Sequence, residues 1–146
     1  QFSPLSGHGT MATTAPYSNI DQQFDVVNVA AGAGATFVAR ATAYHVQQLS
    51  DILEKAIRHK GFSVVEVMTP CPTYFGRKNK AGSVLDMMDN LKSRTTPVGS
   101  KAKQEDPALI ERGIFVNKEM PEYCAEYQRI IMPRLLPLLK RCNIFP

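Results

Sequence analysis

A thiol between two prolines stands in the segment Thr69-Pro70-Cys71-Pro72-Thr73-Tyr74-Phe75-Gly76-Arg77-Lys78-Asn79. The run before it, Phe62-Ser63-Val64-Val65-Glu66-Val67-Met68, is rich in β-branched residues and reads as a central parallel strand buried on both faces. Neither proline can continue a strand ladder, so the chain turns at Cys71. Ligands of open α/β sheets gather outside the carboxyl ends of strands, which places Cys71 and Arg77 where chemistry is usually done. Two readings of Cys71 stand side by side: a functional thiol, or a small buried core cysteine. Arg77-Lys78 has a similar pair of readings. A planar guanidinium suits a carboxylate or a neighbouring subunit's acidic face, while exposed basic residues are commonly just solvated.

Other chemistry-bearing residues do not converge. Gly32-Ala33-Gly34 precedes a strand, whereas a dinucleotide fingerprint follows one, so these glycines read as a helix end. His8, His45 and His59 are too scattered for a zinc site. His45 falls in the first turn of an expected helix and His59 near its end, where the dipole favours a cation. No Ser/His/Asp order and no close pair of carboxylates stands out for hydrolysis. The residues on their own do not make a self-sufficient active site.

The elements that must position Cys71 follow from periodicity. Residues 1–23 read as a long polar loop, and long loops in compact domains tend to be functional. Asp21 is expected to cap a helix over 22–32, with Phe24, Val27, Val29 and Ala31 buried and Gly32 or Gly34 ending it. A strand over 35–41 leads to a helix over 44–60, where Val46, Leu49, Leu53, Ala56 and Ile57 share a face and Gly61 stops the chain. With the strand at 62–68 this makes a βαβ unit, so the fold class is α/β with a parallel sheet. Ser83 caps a short helix. Residues 96–112 are polar and lysine-bearing and read as a flexible linker. Beyond it lie an extended arm at 113–116 and a C-terminal helix interrupted by Pro133 and Pro137. The apolar run Ile130–Leu139 suits either an interface or core packing.

With 146 residues, 44% of them apolar, the chain has the size and composition of one ordinary domain. Cys71, Cys124 and Cys142 are widely spaced and odd in number, which argues against a disulfide framework and fits a reducing cytosol. No signal peptide or bilayer-spanning run is present. A net charge of +4, with basic residues scattered rather than interleaved with aromatics, speaks against nucleic-acid binding. The abrupt opening at Gln1 reads as a fragment.

Several blocks in one order resemble a known family: Gln1-x-Ser3-Pro4, Thr13-Thr14-Ala15-Pro16-Tyr17-x-Asn19-Ile20, Gly34 to Arg40, His59-Lys60-Gly61-Phe62, and Glu66-Val67-x-x-x-Cys71-Pro72-Thr73. The family is the β subunit of the 2-oxoacid:ferredoxin oxidoreductases, and the loop from Cys71 to Asn79 is most similar to its 2-oxoglutarate branch. The match runs over about residues 1–95 and echoes weakly in Gly113 to Val116 and Pro121 to Tyr123.

That resemblance implies a three-part organisation. Residues 1–95 would be the C-terminal part of a thiamine-diphosphate-binding α/β domain, 96–112 a linker, and 113–146 an irregular extension that contacts another subunit. It implies that Gln1, Ser3 and Pro4 border the diphosphate end of the cofactor, the Mg²⁺ ligands lying upstream. It implies that Cys71 is the fourth thiolate of a 4Fe–4S cluster whose other three ligands precede Gln1, with no catalytic side chain in this chain itself. Arg77 would contact an anionic substrate or a partner subunit. The expected activity is oxidative decarboxylation of a 2-oxoacid with coenzyme A to acyl-CoA, CO₂ and reduced ferredoxin. Expected partners are the α subunit and ferredoxin, in the cytoplasm. Two rival readings are a non-catalytic assembly module acting through subunit contacts, and a thiamine-dependent decarboxylase or synthase that needs no cluster thiolate.

Overall fold

In Phe37-Val38-Ala39-Arg40-Ala41-Thr42 the apolar set Phe37, Ala39 and Ala41 alternates with the mixed set Val38, Arg40 and Thr42, and such a strand buries both faces only when something packs on each side. In the computed structural model, which describes residues 5–13 and 15–141, this segment is strand β1 (Phe37–Thr42) and all but one of its residues are buried. Helix α1 (Val26–Gly32) lies on one face, where Val27, Ala30 and Ala35 enclose Val38. Helix α2 (Val46–Arg58) lies on the other, where Ile52 packs on Phe37, Ala39 and Ala41.

Strand β2 (Ser63–Met68) pairs parallel with β1, so β1, α2 and β2 form the expected βαβ unit. The remaining elements are helix α3 (Val84–Ser93), strand β3 (Thr95–Pro97), helix α4 (Ala102–Glu105), strand β4 (Ile110–Asn117) and helix α5 (Tyr123–Arg141). The sheet order is β2-β1-β4-β3, with β4 antiparallel to β1 and parallel to β3.

Several expectations are corrected. Among the described residues β2 pairs with β1 alone and stands at the edge of the sheet rather than at its centre, and most of its residues are half-buried. A run of valines fits either place; Val64 and Val65 still reach opposite core clusters, but Glu66 fills a position that a strand buried on both faces would give to an apolar residue. Glu66 instead meets Arg40, its register partner, at 2.5 Å, and Arg40 also reaches Asp25 at 2.7 Å. The Arg40 side chain is only 11% exposed, and the two carboxylates satisfy the charge that burial would otherwise leave unpaired.

Asp25, not Asp21, caps α1, accepting from the amides of Val27 and Asn28. The Asp21 amide is taken by Asn19 Oδ1 at 3.1 Å, which keeps that stretch in the loop. The helix therefore starts later than expected and leaves Phe24 and Val29 exposed; Ala30 is buried in their place. It ends in Gly34 at φ +89°, a conformation that costs glycine little. Within α2, Ile52 is the buried residue, whereas Val46 and Ile57 are exposed.

Ser83 caps α3 as expected, through a reciprocal pair with Asp86. The 96–112 segment, expected to be a linker, contains part of β3, all of α4 and the first residues of β4. α5 runs through Pro133 and Pro137 without a break. Among the described residues no helix is long and apolar enough to cross a membrane.

Candidate functional site

The chain leaves β2 at Met68 and enters a π-helical turn over Pro72–Gly76, with Cys71 at its N-terminal cap. The widened turn is closed by the Gly76 amide donating to the Cys71 carbonyl at 2.8 Å. Proline at the first position suits this start, because its missing N–H has no intrahelical partner to lose. Gly76 is buried in a tight space: a Cβ there would stand 2.8 Å from Met87 Sδ, whose flexible side chain would have to shift, and 3.4 Å from the Cys71 carbonyl oxygen.

Cys71 is exposed, which overturns the core-cysteine reading. Backbone hydrogen bonding by Phe75 and then Tyr74, with a lesser share from Thr73, holds the thiol below its ordinary pKa, against an opposing effect of desolvation. Tyr74 and Phe75 beside it are also exposed. A thiolate at a strand exit, accepting amide hydrogen bonds, has the donor chemistry of one cluster ligand. Among the described residues no group of three or more His, Cys, Asp or Glu side chains could hold a metal ion, so further ligands would have to come from elsewhere.

Cys124 is exposed as well, but its thiol is pushed up by the Glu122 carboxylate through a hydrogen bond and its charge. Cys142 lies outside the described residues, and so do Gln1, Ser3 and Pro4. Arg77 is exposed at the end of the π-helical turn; its backbone N–H donates to the Pro72 and Tyr74 carbonyls, while its guanidinium makes no hydrogen bond or ion pair among the described residues. His59 ends α2 and meets Thr36 Oγ1 at 2.9 Å, while His45 caps the same helix and meets Thr42 Oγ1 at 2.8 Å. Partial burial, with Arg112 and Lys92 nearby, lowers the His45 pKa.

The loop of residues 5–19 faces the Cys71 turn across a cleft of about 980 Å³, with Gly7, His8 and Thr10 on one wall and Pro70, Cys71 and Asn79 on the other. Asn19, 2% exposed, organises that loop: its side-chain amide donates to the Ser6 carbonyl at 2.9 Å, and its backbone exchanges hydrogen bonds with Gly9 and Thr10. Asn79 ties the loop to the Cys71 turn, because its Oδ1 accepts from the Met11 amide at 2.7 Å and its Nδ2 donates to the Met11 carbonyl at 2.9 Å. Sequence reasoning assigned Asn79 no role. Its signal was only that an asparagine closes the Cys71 motif, since its partner lies 68 residues away.

A parallel βαβ unit with a loop–thiol cleft at the carboxyl end of its strands defines the class, and comparison with known proteins agrees. Residues 5–67 match the family model described as thiamine pyrophosphate enzyme, C-terminal TPP binding domain. The chain is 40% identical over 128 residues to the 2-oxoglutarate synthase subunit KorB of Methanothermobacter marburgensis, covering 85% of this chain and 45% of the relative. It is 38% identical over 134 residues to the subunit of the same name from Methanocaldococcus jannaschii, covering 90% of this chain and 50% of the relative. A 74-residue stretch is 42% identical to the 2-oxoacid:ferredoxin oxidoreductase subunit beta of Saccharolobus solfataricus, covering 51% of this chain and 24% of that one.

The fold is similar to a solved structure of 2-oxoglutarate:ferredoxin oxidoreductase from Magnetococcus marinus with 2-oxoglutarate, coenzyme A and succinyl-CoA bound. The TM-score is 0.74 at 20% identity, covering 91% of this chain and 47% of that one. The chain belongs to the β subunits of the 2-oxoacid:ferredoxin oxidoreductases, in agreement with the resemblance carried by its motifs. It spans about half the length of the curated relatives it matches.

Proposed function

We propose that this chain is part of the β subunit of a cytoplasmic 2-oxoacid:ferredoxin oxidoreductase of the 2-oxoglutarate branch, which oxidatively decarboxylates its substrate with coenzyme A and passes electrons through a 4Fe–4S cluster. The observation that carries the reading is the exposed Cys71, its thiolate form favoured by three backbone amides at the exit of β2. The names of the relatives support the substrate branch, and the thiamine pyrophosphate family match supports the cofactor. When bound, thiamine diphosphate with Mg²⁺ supplies the electron sink for decarboxylation and the cluster carries electrons one at a time.

The residues of this chain hold and orient. Cys71 gives one thiolate, and amide hydrogen bonds to its sulfur would tune the cluster's potential. The loop of residues 5–19 continues from Gln1, Ser3 and Pro4, which the family resemblance sets beside the diphosphate. Arg77, exposed at the end of the Cys71 turn, is offered to an anionic substrate or to an acidic face of the α subunit. The half-exposed Tyr127, Ile130, Met132 and Leu136 of α5 support a contact surface for that subunit.

The test is anaerobic reduction of ferredoxin, or of a viologen, by the complete enzyme purified with its α subunit. Reduction that requires both 2-oxoglutarate and coenzyme A, and is faster than with pyruvate, is the expected result. A complex that holds iron but reduces nothing with either oxoacid contradicts the activity. A protein with neither iron nor thiamine diphosphate returns the reading to an assembly module.

A further inference from the structure

The amide of Asn79 is fully engaged. Besides its two bonds to Met11, Nδ2 donates to the Phe75 carbonyl at 3.0 Å, inside the π-helical turn that Cys71 opens. A single half-buried side chain thus grips the Cys71 turn with one hand and the loop of residues 5–19 with the other. The two-point bond to Met11 copies the pairing of neighbouring strands, so it fixes orientation as well as distance. The gripped loop is itself stiff. Asn19 knots it at Ser6, Gly9 and Thr10, and Ala12 and Ala15 bridge its tip, so a displacement at Met11 is passed along it rather than absorbed.

We propose that Asn79 is a positioning residue that couples the two cofactors: it sets the Cys71 turn against the loop that leads back to the diphosphate end of the thiamine cofactor. This rests on the reading of Cys71 as a cluster ligand and of Gln1, Ser3 and Pro4 as neighbours of the diphosphate. Its consequence is reciprocal: if thiamine diphosphate shifts the cluster's potential through Asn79, the cluster's redox state shifts the affinity for thiamine diphosphate by the same factor.

The test uses the complete β subunit with its α partner, as wild type, Asn79→Ala and Asn79→Asp. The aspartate keeps an acceptor for the Met11 amide but loses both donors. Iron content and far-UV circular dichroism are measured first. The cluster's midpoint potential is then followed by EPR, with and without added thiamine diphosphate and Mg²⁺.

The expected result is a wild-type potential that moves when thiamine diphosphate binds, and folded, iron-loaded variants in which most of that movement is lost. An unchanged movement in both variants overturns the coupling, and so does a wild-type potential that ignores the cofactor. Variants that lose their circular dichroism make Asn79 a folding residue and overturn it too. A wild type without iron overturns the cluster reading itself, and that failure is seen before any potential is measured.

Discussion

Cys71 and Cys124 both stand exposed at the start of a helical segment, yet their thiols move in opposite directions. At Cys71 backbone hydrogen bonding by Phe75 and Tyr74, with a lesser share from Thr73, favours the thiolate, and the pKa falls. At Cys124 the Glu122 carboxylate has already captured the amides of Cys124 and Ala125, at 2.9 and 3.0 Å. The sulfur there meets a negative charge instead, and the pKa rises. A helix start therefore does not activate a thiol by itself. What decides is whether the orphan N–H groups are left for the sulfur or taken by an acidic side chain.

The largest way to break this contrast is to delete each thiol in turn. Cys71→Ser should abolish most 2-oxoacid-dependent ferredoxin reduction, whereas Cys124→Ser should keep it near wild type; equal losses would erase the distinction. Gly76→Ala presses the Cys71 turn against α3, because the added methyl forces the flexible end of Met87 to shift. It should cost about 1–2 kcal/mol, at the lower end for overpacking, read as a lower Tm, and make any bound cluster more labile. A smaller effect is due from Ser83→Ala, which removes the cap of the helix that carries Met87 and should cost about 1 kcal/mol.

The finest distinction is in titration. In iron-free protein, the rate of alkylation at Cys71 should reach half its plateau below the pH of an ordinary thiol, and at Cys124 above it. The direction follows because the thiolate is the reacting form. Glu122→Gln should bring the Cys124 midpoint down and leave Cys71 where it is. A Cys124 midpoint unmoved by that change would remove the carboxylate as its cause.

How much of this was legible depends on how local the signal is. The β1–α2–β2 unit could be read because helical spacing and β-branched runs are written within a few residues of each other. The turn at Cys71 could be read because two prolines forbid anything else. The edge position of β2 could not, since the same valines serve a strand with one neighbour or two, and the pairing of β1 with β4 joins Phe37 to Asn117 across most of the chain. Asp25 outcompeted Asp21 as a cap for a reason that only the folded loop reveals: Asn19 holds the Asp21 amide. Asn79 was in plain view, but its partner Met11 lies far away in sequence and offers only backbone, which leaves no trace in residue type.

The central claim is that the low-pKa thiol at the exit of β2 is a cluster ligand and its high-pKa counterpart is not. An anaerobic iron and acid-labile sulfide determination, with a visible spectrum, on the complete protein and on Cys71→Ser and Cys124→Ser tests it most directly. The account predicts a full cluster in wild type and in Cys124→Ser, and a lost or crippled one in Cys71→Ser. Undiminished iron and sulfide in Cys71→Ser would contradict it.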